Sequence, residues 1–386
     1  MPSALFVTTV PITLEAFLLP FADHFRARGW RVDALANGAT SNPHLDGHFD
    51  KRFDVAWSRD PHSPANLLGT SRRIRDIVAA GGYDVVHVHT PVAAFVTRFA
   101  LRGLHRYSGG PAVIYTAHGF HFYVGQAAVR HAFFRTMERI AAPWTDYLVT
   151  INREDLDAAD ALGGIAPDRV RYIPGVGVDC ARFAPGTVSS EQVARVRDEL
   201  EGDSTPAQGF LMTMVAEFGA VKRHALALEA FTRVRDPRPH LAFVGDGPLE
   251  AEVRAQVARL GLADRVTFAG YRRDIPAVMA ASDALLLTSE REGLNRSVLE
   301  AMASGKPVIG TDTRGIRDAV GPDAGWVVGH SDATALAAAI EAAAADPAQL
   351  ARRGASARKR ACAEFALDRI VASYEELYGE ALASRV

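Results

Sequence analysis

The chain has 386 residues, of which 48% are hydrophobic and 23% are charged, and its formal net charge is −2. Such a composition is typical of folded globular domains and excludes a disordered or collagen-like chain, while the near-neutral charge argues against nucleic-acid binding. No apolar run reaches the roughly 18 residues needed to cross a membrane, and no signal-peptide pattern opens the chain, so we expect a cytoplasmic protein.

Short apolar runs alternate with amphipathic stretches of helix length along the chain. Predicted strands in the first half are 4–9, 31–36, 85–89, 112–117, 147–151 and 170–173. Those in the second half are 210–215, 241–244, 266–269, 284–288, 307–310 and 326–328. Predicted helices between them include 14–28, 65–80, 225–234, 249–260 and 297–304. Mostly apolar strands that alternate with helices predict an α/β fold, with two doubly wound Rossmann-like domains facing across a cleft.

A polar segment rich in glycine and proline, residues 184–208, interrupts this alternation, and we interpret it as the interdomain segment with a short helix at 189–200. The tail of the chain is helical, and no strand follows it. The predicted domains are therefore 1–185, 186–365 and a C-terminal helix, 366–386, that returns to the first domain.

Two residue types are scarce enough to be informative. Only Cys180 and Cys362 occur, which is typical of a reducing compartment and argues against a cysteine-bound zinc site. Lysine is also rare among the 43 basic residues, so each lysine is a candidate for a specific function. The lysines are Lys51, Lys222, Lys306 and Lys359.

The residues after strand 284–288 carry the densest chemistry, because ligands of open α/β sheets bind beyond the carboxyl ends of strands. Asn295 is a predicted N-cap and Gly305 a C-terminal stop for the helix between them. The N-terminus of that helix, with flexible Gly293 before it, can bind phosphate. Glu292 and Glu300 can both face one ligand and accept hydrogen bonds from sugar hydroxyls. A nucleotide sugar fits this pattern, and the alternative is a surface helix with two solvated glutamates.

This segment resembles the E-x7-E signature of family-4 retaining glycosyltransferases of the GT-B fold. Glu292-Gly293, residues 299–303, Gly305 and residues 307–309 match the signature. Three other segments are similar to motifs of the same family, so the resemblance covers essentially the whole chain. They are Val244-Gly245-Asp246-Gly247-Pro248-Leu249, Gly270-Tyr271-Arg272-Arg273-Asp274-Ile275-Pro276 and Gly315-Ile316-Arg317-Asp318, the last similar to a G-G-I-x-E/D loop.

The resemblance implies a role for each matching residue. Glu300 would hold the nucleotide ribose, and Glu292 the hydroxyls of the donor sugar. Lys222 matches the lysine of the family's phosphate-binding pair, and the departing diphosphate is where negative charge develops. The other predicted donor contacts are Gly293, Leu294, Asn295 and Gly245.

The arginine that precedes this lysine in the family has no counterpart here, and Glu217 stands close to its place. Two other cations are available, Arg223 beside the lysine and Arg296 at the start of the helix. We predict that Arg296 supplies the missing charge on the diphosphate.

In the first half, Thr116-Ala117-His118-Gly119 resembles the family's T-x-H-G motif. This implies that His118 lies at the donor sugar and is catalytic together with Glu292 and Lys222. His87 and His89 are two residues apart on one strand, so they share a face of the sheet, and His89 is nearer its end. Two histidines without a third ligand do not predict a metal site. The predicted acceptor or cleft residues are Thr13, His89, Phe120 and Tyr123.

The stretch 91–144 is locally basic, with six arginines against one glutamate, and it is rich in aromatic residues. Arg98 and Arg102 are one helical turn apart, as are Arg135 and Arg139. Basic, aromatic, amphipathic helices suit the surface of an anionic membrane, which would present a polyprenyl-diphosphate acceptor. The alternative is an aromatic core stripe with a solvated arginine face.

The resemblance implies a retaining, metal-independent glycosyltransferase that uses no cofactor. Its whole-chain pattern is most similar to bacterial enzymes that use UDP-N-acetylhexosamines or similar UDP-sugars, with a saccharide, a lipid-linked sugar or a natural product as acceptor. A nucleotide-sugar 2-epimerase of the same architecture and a non-catalytic nucleotide-sugar-binding protein are the alternatives. No dinucleotide or P-loop glycine motif occurs, which disfavours a nicotinamide dehydrogenase or a P-loop enzyme.

Overall fold

A computed structural model describes residues 1–57, 65–104, 109–123, 125–202, 209–236 and 239–384. The chain divides into two compact domains by its internal contacts. Domain 1 consists of Met1–Val176 with Ile370–Val386, and domain 2 consists of Gly177–Arg369. The chain therefore passes between the domains at 176/177 and again at 369/370.

Domain 1 is built on a seven-stranded parallel sheet with the strand order β3-β2-β1-β4-β5-β6-β7. The strands are β1 Ser3–Val7, β2 Arg31–Ala36, β3 Arg52–Asp54, β4 Val85–His89, β5 Ala112–Ala117, β6 Tyr147–Thr150 and β7 Val170–Tyr172. The helices are α1 Pro11–Thr13, α2 Leu19–Ala27, α3 Ala65–Gly81, α4 Pro91–Leu101, α5 Ala128–Ala141 and α6 Arg153–Asp160, with a π-helical turn at Leu14–Leu18. The order reverses between β1 and β4, which is where doubly wound sheets bind ligands.

Domain 2 is built on a six-stranded parallel sheet with the strand order β10-β9-β8-β11-β12-β13. The strands are β8 Phe210–Val215, β9 Pro239–Val244, β10 Val266–Phe268, β11 Ala284–Leu287, β12 Val308–Thr311 and β13 Gly325–Val328. The helices are α7 Ser190–Glu201, α8 His224–Phe231, α9 Glu250–Arg259, α10 Ile275–Ala281, α11 Arg296–Ala303, α12 Arg314–Val320, α13 Ala333–Ala345 and α14 Pro347–Glu364. Here the order reverses between β8 and β11.

The strands in the middle of each sheet are buried along their whole length, because helices cover both faces. This is the α/β fold with two doubly wound domains that the alternating pattern predicts. The short edge strand β3 was not predicted, since three residues carry no periodic signal.

The last helix, α15 (Leu367–Ala383), lies almost entirely in domain 1, as the sequence predicts. The ring of Tyr374 meets Phe21 edge to face at 5.4 Å, and that of Tyr378 stacks on Phe25 at 4.6 Å. Two buried tyrosines thus fix α15 to domain 1.

The segment expected between the domains belongs to domain 2 as far as it is described. Val196 and Leu200 of α7 pack with Leu211 and Val244 in one buried apolar cluster. The crossings at 176/177 and 369/370 lie outside this segment.

Cys180 and Cys362 form a disulfide within domain 2, with their Cα atoms 5.8 Å apart. This differs from the reduced thiols that the scarcity of cysteine predicts, because a count of cysteines does not show which of them meet in space. Among the helices that the structure describes, none combines the length and the apolar character needed to cross a membrane.

Candidate active site

Two neighbouring loops of domain 2 are joined into one structure beyond the carboxyl ends of β8 and β11. The Thr288 hydroxyl donates to the backbone carbonyls of Lys222 and Arg223, both at 3.0 Å. The backbone N–H of Glu290 donates to the carbonyl of Val221 at 2.8 Å. The loop after β11 therefore holds Lys222 in place.

Lys222 and Glu292 form an ion pair across these two loops. The distance from Lys222 Nζ to Glu292 Oε1 is 2.6 Å, with the side chains 23% and 10% exposed. A charge-assisted hydrogen bond of this length is strong, because both partners are partly removed from water. The pair brings together a cation suited to phosphate and a carboxylate suited to sugar hydroxyls.

Helix α11 begins and ends as its sequence predicts. Asn295 Oδ1 accepts hydrogen bonds from the backbone N–H of Val298 at 3.2 Å and from the Ser297 hydroxyl at 2.6 Å. Gly305 follows the helix with a φ of 74°, the left-handed conformation that favours glycine. The N-cap fixes the orientation of the helix and therefore the position of Glu300 within it.

Glu300 is buried on α11 and is paired with Arg296 one turn earlier. Arg296 Nε donates to Glu300 Oε1 at 2.8 Å. Burial raises the pKa of the Glu300 carboxyl, and Arg296 acts in the opposite direction. Each of the two predicted carboxylates thus has its own cation.

Close backbone packing explains two glycines around this site. A Cβ on Gly245 would lie 2.1 Å from the carbonyl oxygen of Ala216, and one on Gly315 would lie 1.9 Å from that of Gly293. Neither contact is possible with a side chain. Gly245 therefore brings its turn against the loop that leads to Lys222, and its direct contact with a donor stays a prediction.

Arg223, a predicted donor contact, is bound to the loop after β13 in this structure. Its guanidinium donates to the His330 carbonyl at 2.6 Å and to the Ser331 hydroxyl at 3.1 Å. Its backbone is left-handed, with a φ of 53°. In this structure the side chain ties two loops together, so the predicted contact with a donor would require it to leave these partners.

Arg314 is a residue of the site that the sequence analysis missed. It is buried at the start of α12, and its Nε donates to the backbone carbonyl of Glu292 at 3.3 Å. The signal was present, because the family loop written G-G-I reads Arg314-Gly315-Ile316 here.

In domain 1, His89 and His118 are brought together at the ends of β4 and β5. His89 Nδ1 and His118 Nε2 are 3.0 Å apart, which is a hydrogen bond. The ring of Phe17 stacks on that of His118 at 5.7 Å. Thr90 follows His89 with a φ of 63°, which is strained for a β-branched residue, and its hydroxyl accepts the N–H of Thr9 at 3.0 Å.

A second layer of hydrogen bonds lies behind these histidines. His87 contacts the Tyr378 hydroxyl through Nδ1 at 2.6 Å and the Thr116 hydroxyl through Nε2 at 2.7 Å. Thr116 also contacts the Tyr374 hydroxyl at 3.0 Å. Helix α15 therefore reaches the histidine cluster, which we define as His87, His89 and His118.

Burial keeps the histidine cluster uncharged at neutral pH. It lowers the pKa of His87 to about 3 and that of His118 to about 4, and it places the pKa of His89 well below its usual range. In the described part of the chain, no three His, Cys, Asp or Glu side chains are grouped as metal ligands. The cluster can therefore donate and accept hydrogen bonds as neutral imidazoles.

Comparison with known proteins identifies the family. Residues 14–182 match the family model "Glycosyltransferase Family 4", and residues 197–360 match "Glycosyl transferases group 1". The protein named "Putative glycosyltransferase EpsD" of Bacillus subtilis (strain 168) is 33% identical over 380 residues, which cover 97% of this chain and 95% of EpsD. The chain belongs to the family-4 glycosyltransferases. The family predicted from the motifs is thereby confirmed, and the protein is a glycosyltransferase.

Solved structures share the fold of this glycosyltransferase. HepE of Anabaena, in complex with UDP and glucose, is 20% identical with a TM-score of 0.80, covering 98% of this chain and 100% of HepE. Sucrose-phosphate synthase of Thermosynechococcus elongatus is 21% identical with a TM-score of 0.81, covering both chains completely. The predicted GT-B class is confirmed.

A further relative acts on a lipid-linked sugar. The UDP-Gal:α-D-GlcNAc-diphosphoundecaprenol α-1,3-galactosyltransferase of Escherichia coli is 28% identical over 238 residues. The match covers 60% of this chain and 59% of that enzyme.

The predicted acceptor residues of the glycosyltransferase have different environments. Phe120 was predicted to line the cleft, but its ring is only 2% exposed and stacks on Phe122 in the core of domain 1. His89 is also buried, and it contacts His118 instead of facing solvent. Thr13 is buried in α1, and Tyr123 is half-buried.

The prediction of a basic surface in the stretch 91–144 is wrong at one position. Arg98 is 1% exposed, pairs with Glu138 at 2.8 Å and lies over the Tyr115 ring at 4.2 Å. Arg106 and Tyr107 lie outside the described residues. The exposed arginines of the stretch are Arg102, Arg130, Arg135 and Arg139, and Val129 beside them is 85% exposed.

Proposed function

We propose that this glycosyltransferase moves a hexose or N-acetylhexosamine from a UDP-sugar to a hydroxyl of its acceptor, with retention at the anomeric carbon. The observation that carries the proposal is the Lys222–Glu292 pair beside the capped start of α11, with Glu300 buried in the same helix. A nucleotide sugar offers hydroxyls at both ends and a diphosphate between them, which suits two carboxylates and a cation. The UDP complex of HepE and the UDP-Gal donor of the E. coli relative support the choice of UDP.

Donor binding would replace the ion pairs of the resting site. The diphosphate would take Lys222 from Glu292, which then accepts hydrogen bonds from hydroxyls of the donor sugar. Likewise the ribose hydroxyls would bind Glu300, and Arg296 would turn towards the diphosphate. Once turned to the diphosphate, these two cations would stabilise the departing UDP as its negative charge develops, without a divalent ion.

The transfer step would be a same-face substitution. The acceptor oxygen bonds to the anomeric carbon as the bond from that carbon to the phosphate oxygen breaks. The acceptor proton passes to the departing phosphate oxygen, so no covalent enzyme intermediate forms. The neutral His118 would hydrogen-bond a hydroxyl of the donor sugar and orient it. In this proposal domain 2 binds the nucleotide part of the donor, and domain 1 supplies His118 and binds the acceptor.

The acceptor that we favour is a saccharide on a polyprenyl diphosphate. The exposed arginines of α5 and exposed Val129 suit an anionic membrane surface, and the E. coli relative uses an acceptor of this kind. A soluble saccharide or a natural product would be bound without that surface.

The donor is tested by a thermal-shift screen of UDP-sugars, followed by mass spectrometry of products formed with a lipid-extract acceptor pool. We expect one UDP-sugar to stabilise the protein and to yield a product heavier by one sugar. Incubation with the donor alone separates the alternatives. Slow release of UDP supports a transferase, an epimerised donor supports the 2-epimerase, and no turnover with any acceptor supports a binding protein.

A further inference from the structure

The hydrogen bond between His89 and His118 contains a single proton, because both imidazoles are neutral. Either His89 carries it on Nδ1 and donates, or His118 carries it on Nε2 and donates. The two arrangements leave His118 with opposite properties at its other nitrogen, Nδ1. In the first that nitrogen is an N–H donor, and in the second it is a bare acceptor.

The surroundings of His89 favour the first arrangement. His89 Nε2 is buried and has no hydrogen-bond partner among the residues that the structure describes. If His118 donated, His89 would carry its own proton on this nitrogen, as a buried N–H without an acceptor. Buried donors without a partner are rarer in proteins than buried acceptors without one.

The ring of His89 is held in one orientation by its neighbours, so the position of its proton is defined. His87 packs against it with ring centroids 4.0 Å apart, and Phe6 meets it edge to face at 6.3 Å. His87 is itself fixed by the Tyr378 and Thr116 hydroxyls. His118 Nδ1 makes no hydrogen bond to any described residue, so it is available to a ligand.

We propose that His89 is a positioning residue whose Nδ1–H donates to His118 Nε2 and thereby fixes His118 as the Nδ1–H tautomer. His118 then presents an N–H to a hydroxyl oxygen of the donor sugar. The last step rests on the proposed function, whereas the tautomer is a property of the resting protein.

The tautomer can be measured without any activity. Two-dimensional NMR of protein labelled with 15N-histidine distinguishes a protonated from a bare ring nitrogen, and the His118 signals are assigned by their loss in His118→Gln. We expect the proton on Nδ1 of His118 in the wild type. A proton on Nε2 would overturn the proposal, even if the protein proves to be an active transferase.

Two variants of equal size test the function of the hydrogen bond. The amide of His89→Asn places a donor near the original Nδ1, whereas His89→Asp can only accept. We expect kcat of His89→Asn to stay within about threefold of wild type and that of His89→Asp to fall about 10- to 100-fold, with the His118 proton moved to Nε2. Equal kcat values for the two variants would contradict the proposal.

A matched control uses a buried histidine of domain 2. His240 contacts the Thr267 hydroxyl at 2.8 Å. His240→Asn and His240→Asp should alter thermal stability without separating in kcat. UDP affinity should be unchanged in all four variants, so loss of the nucleotide site is distinguished from loss of the tautomer.

Discussion

The two candidate regions differ in the charge of their side chains. In domain 2 the half-buried Glu292 and the buried Glu300 are each paired with a cation. In domain 1 the histidine cluster is neutral. A buried charge without a partner is costly, so a site that must bind a dianionic diphosphate keeps its charges as pairs until the ligand arrives. A site for neutral sugar hydroxyls needs only oriented dipoles, which neutral imidazoles supply.

Among variants that remove a charge from the domain 2 site, we expect the largest loss of activity at Lys222. Lys222→Gln removes the cation and leaves the half-buried Glu292 without its ion-pair partner. We expect kcat to fall about 100- to 1,000-fold, because the departing diphosphate loses the cation that stabilises its negative charge. Steady-state kinetics with the donor found by the screen measures it.

The exposed Lys359 provides a control of the same chemistry. Lys359→Gln should leave kcat and the donor KM unchanged. Comparable losses in the two variants would mean that the Lys222 result reflects the overall charge and not the site.

The next largest effect is expected at Arg296. Arg296→Ala should raise the donor KM or lower kcat by about tenfold, because Arg296 is proposed to turn from Glu300 to the diphosphate. Values of both constants within about threefold of wild type would contradict that role. Arg195, which has the same spacing to Glu199 on an exposed face, is the control, and Arg195→Ala should behave as wild type.

The histidine cluster predicts a pH dependence of stability. Histidines whose folded pKa lies below the unfolded value of 6.5 bind fewer protons when folded, so the free energy of unfolding falls as pH drops from about 6.5 towards 4. The raised pKa of Glu300 acts in the opposite direction. Urea unfolding at pH 7.5 and 5.0 should show lower stability at pH 5.0, with a smaller difference in His87→Gln. Equal stability at both pH values would contradict a neutral cluster.

The smallest expected effect concerns membrane binding. The triple change of Arg130, Arg135 and Arg139 to glutamine should reduce flotation with anionic vesicles by severalfold, since it removes three charges that are attracted to the anionic surface. Neutral vesicles should not bind the wild type.

A control of equal charge change lies on domain 2, at the exposed Arg195, Arg254 and Arg259. Their replacement by glutamine should leave flotation intact. If the wild type does not float, or if both triple variants lose binding equally, the membrane surface is not the one proposed and a soluble acceptor is favoured.

Local patterns predicted the elements but not the contacts between them. The cap at Asn295 and the stop at Gly305 act within a few residues, so the sequence alone located α11. The helical spacing of Arg98 and Arg102 predicted one shared face, yet Glu138 on another helix draws Arg98 into the core.

The same limit applies to Phe120, which directly follows a strand and was expected to line a cleft. Asp155, from a later helix, accepts its backbone N–H at 3.1 Å, and the ring lies in the core. The pairing of Cys180 with Cys362 and the contact of Arg314 with Glu292 are likewise made by distant parts of the chain. None of these partners can be deduced from spacing.

The contrast between the two regions is tested most directly by the affinity for UDP alone. Isothermal titration calorimetry of the wild type, Lys222→Gln, Glu300→Gln and His118→Gln separates nucleotide binding from sugar binding. We predict that the two domain 2 variants weaken UDP binding at least about tenfold, which corresponds to about 1.4 kcal/mol, and that His118→Gln stays within about twofold of wild type. Equal weakening by His118→Gln, or unchanged binding in Lys222→Gln, would contradict the account.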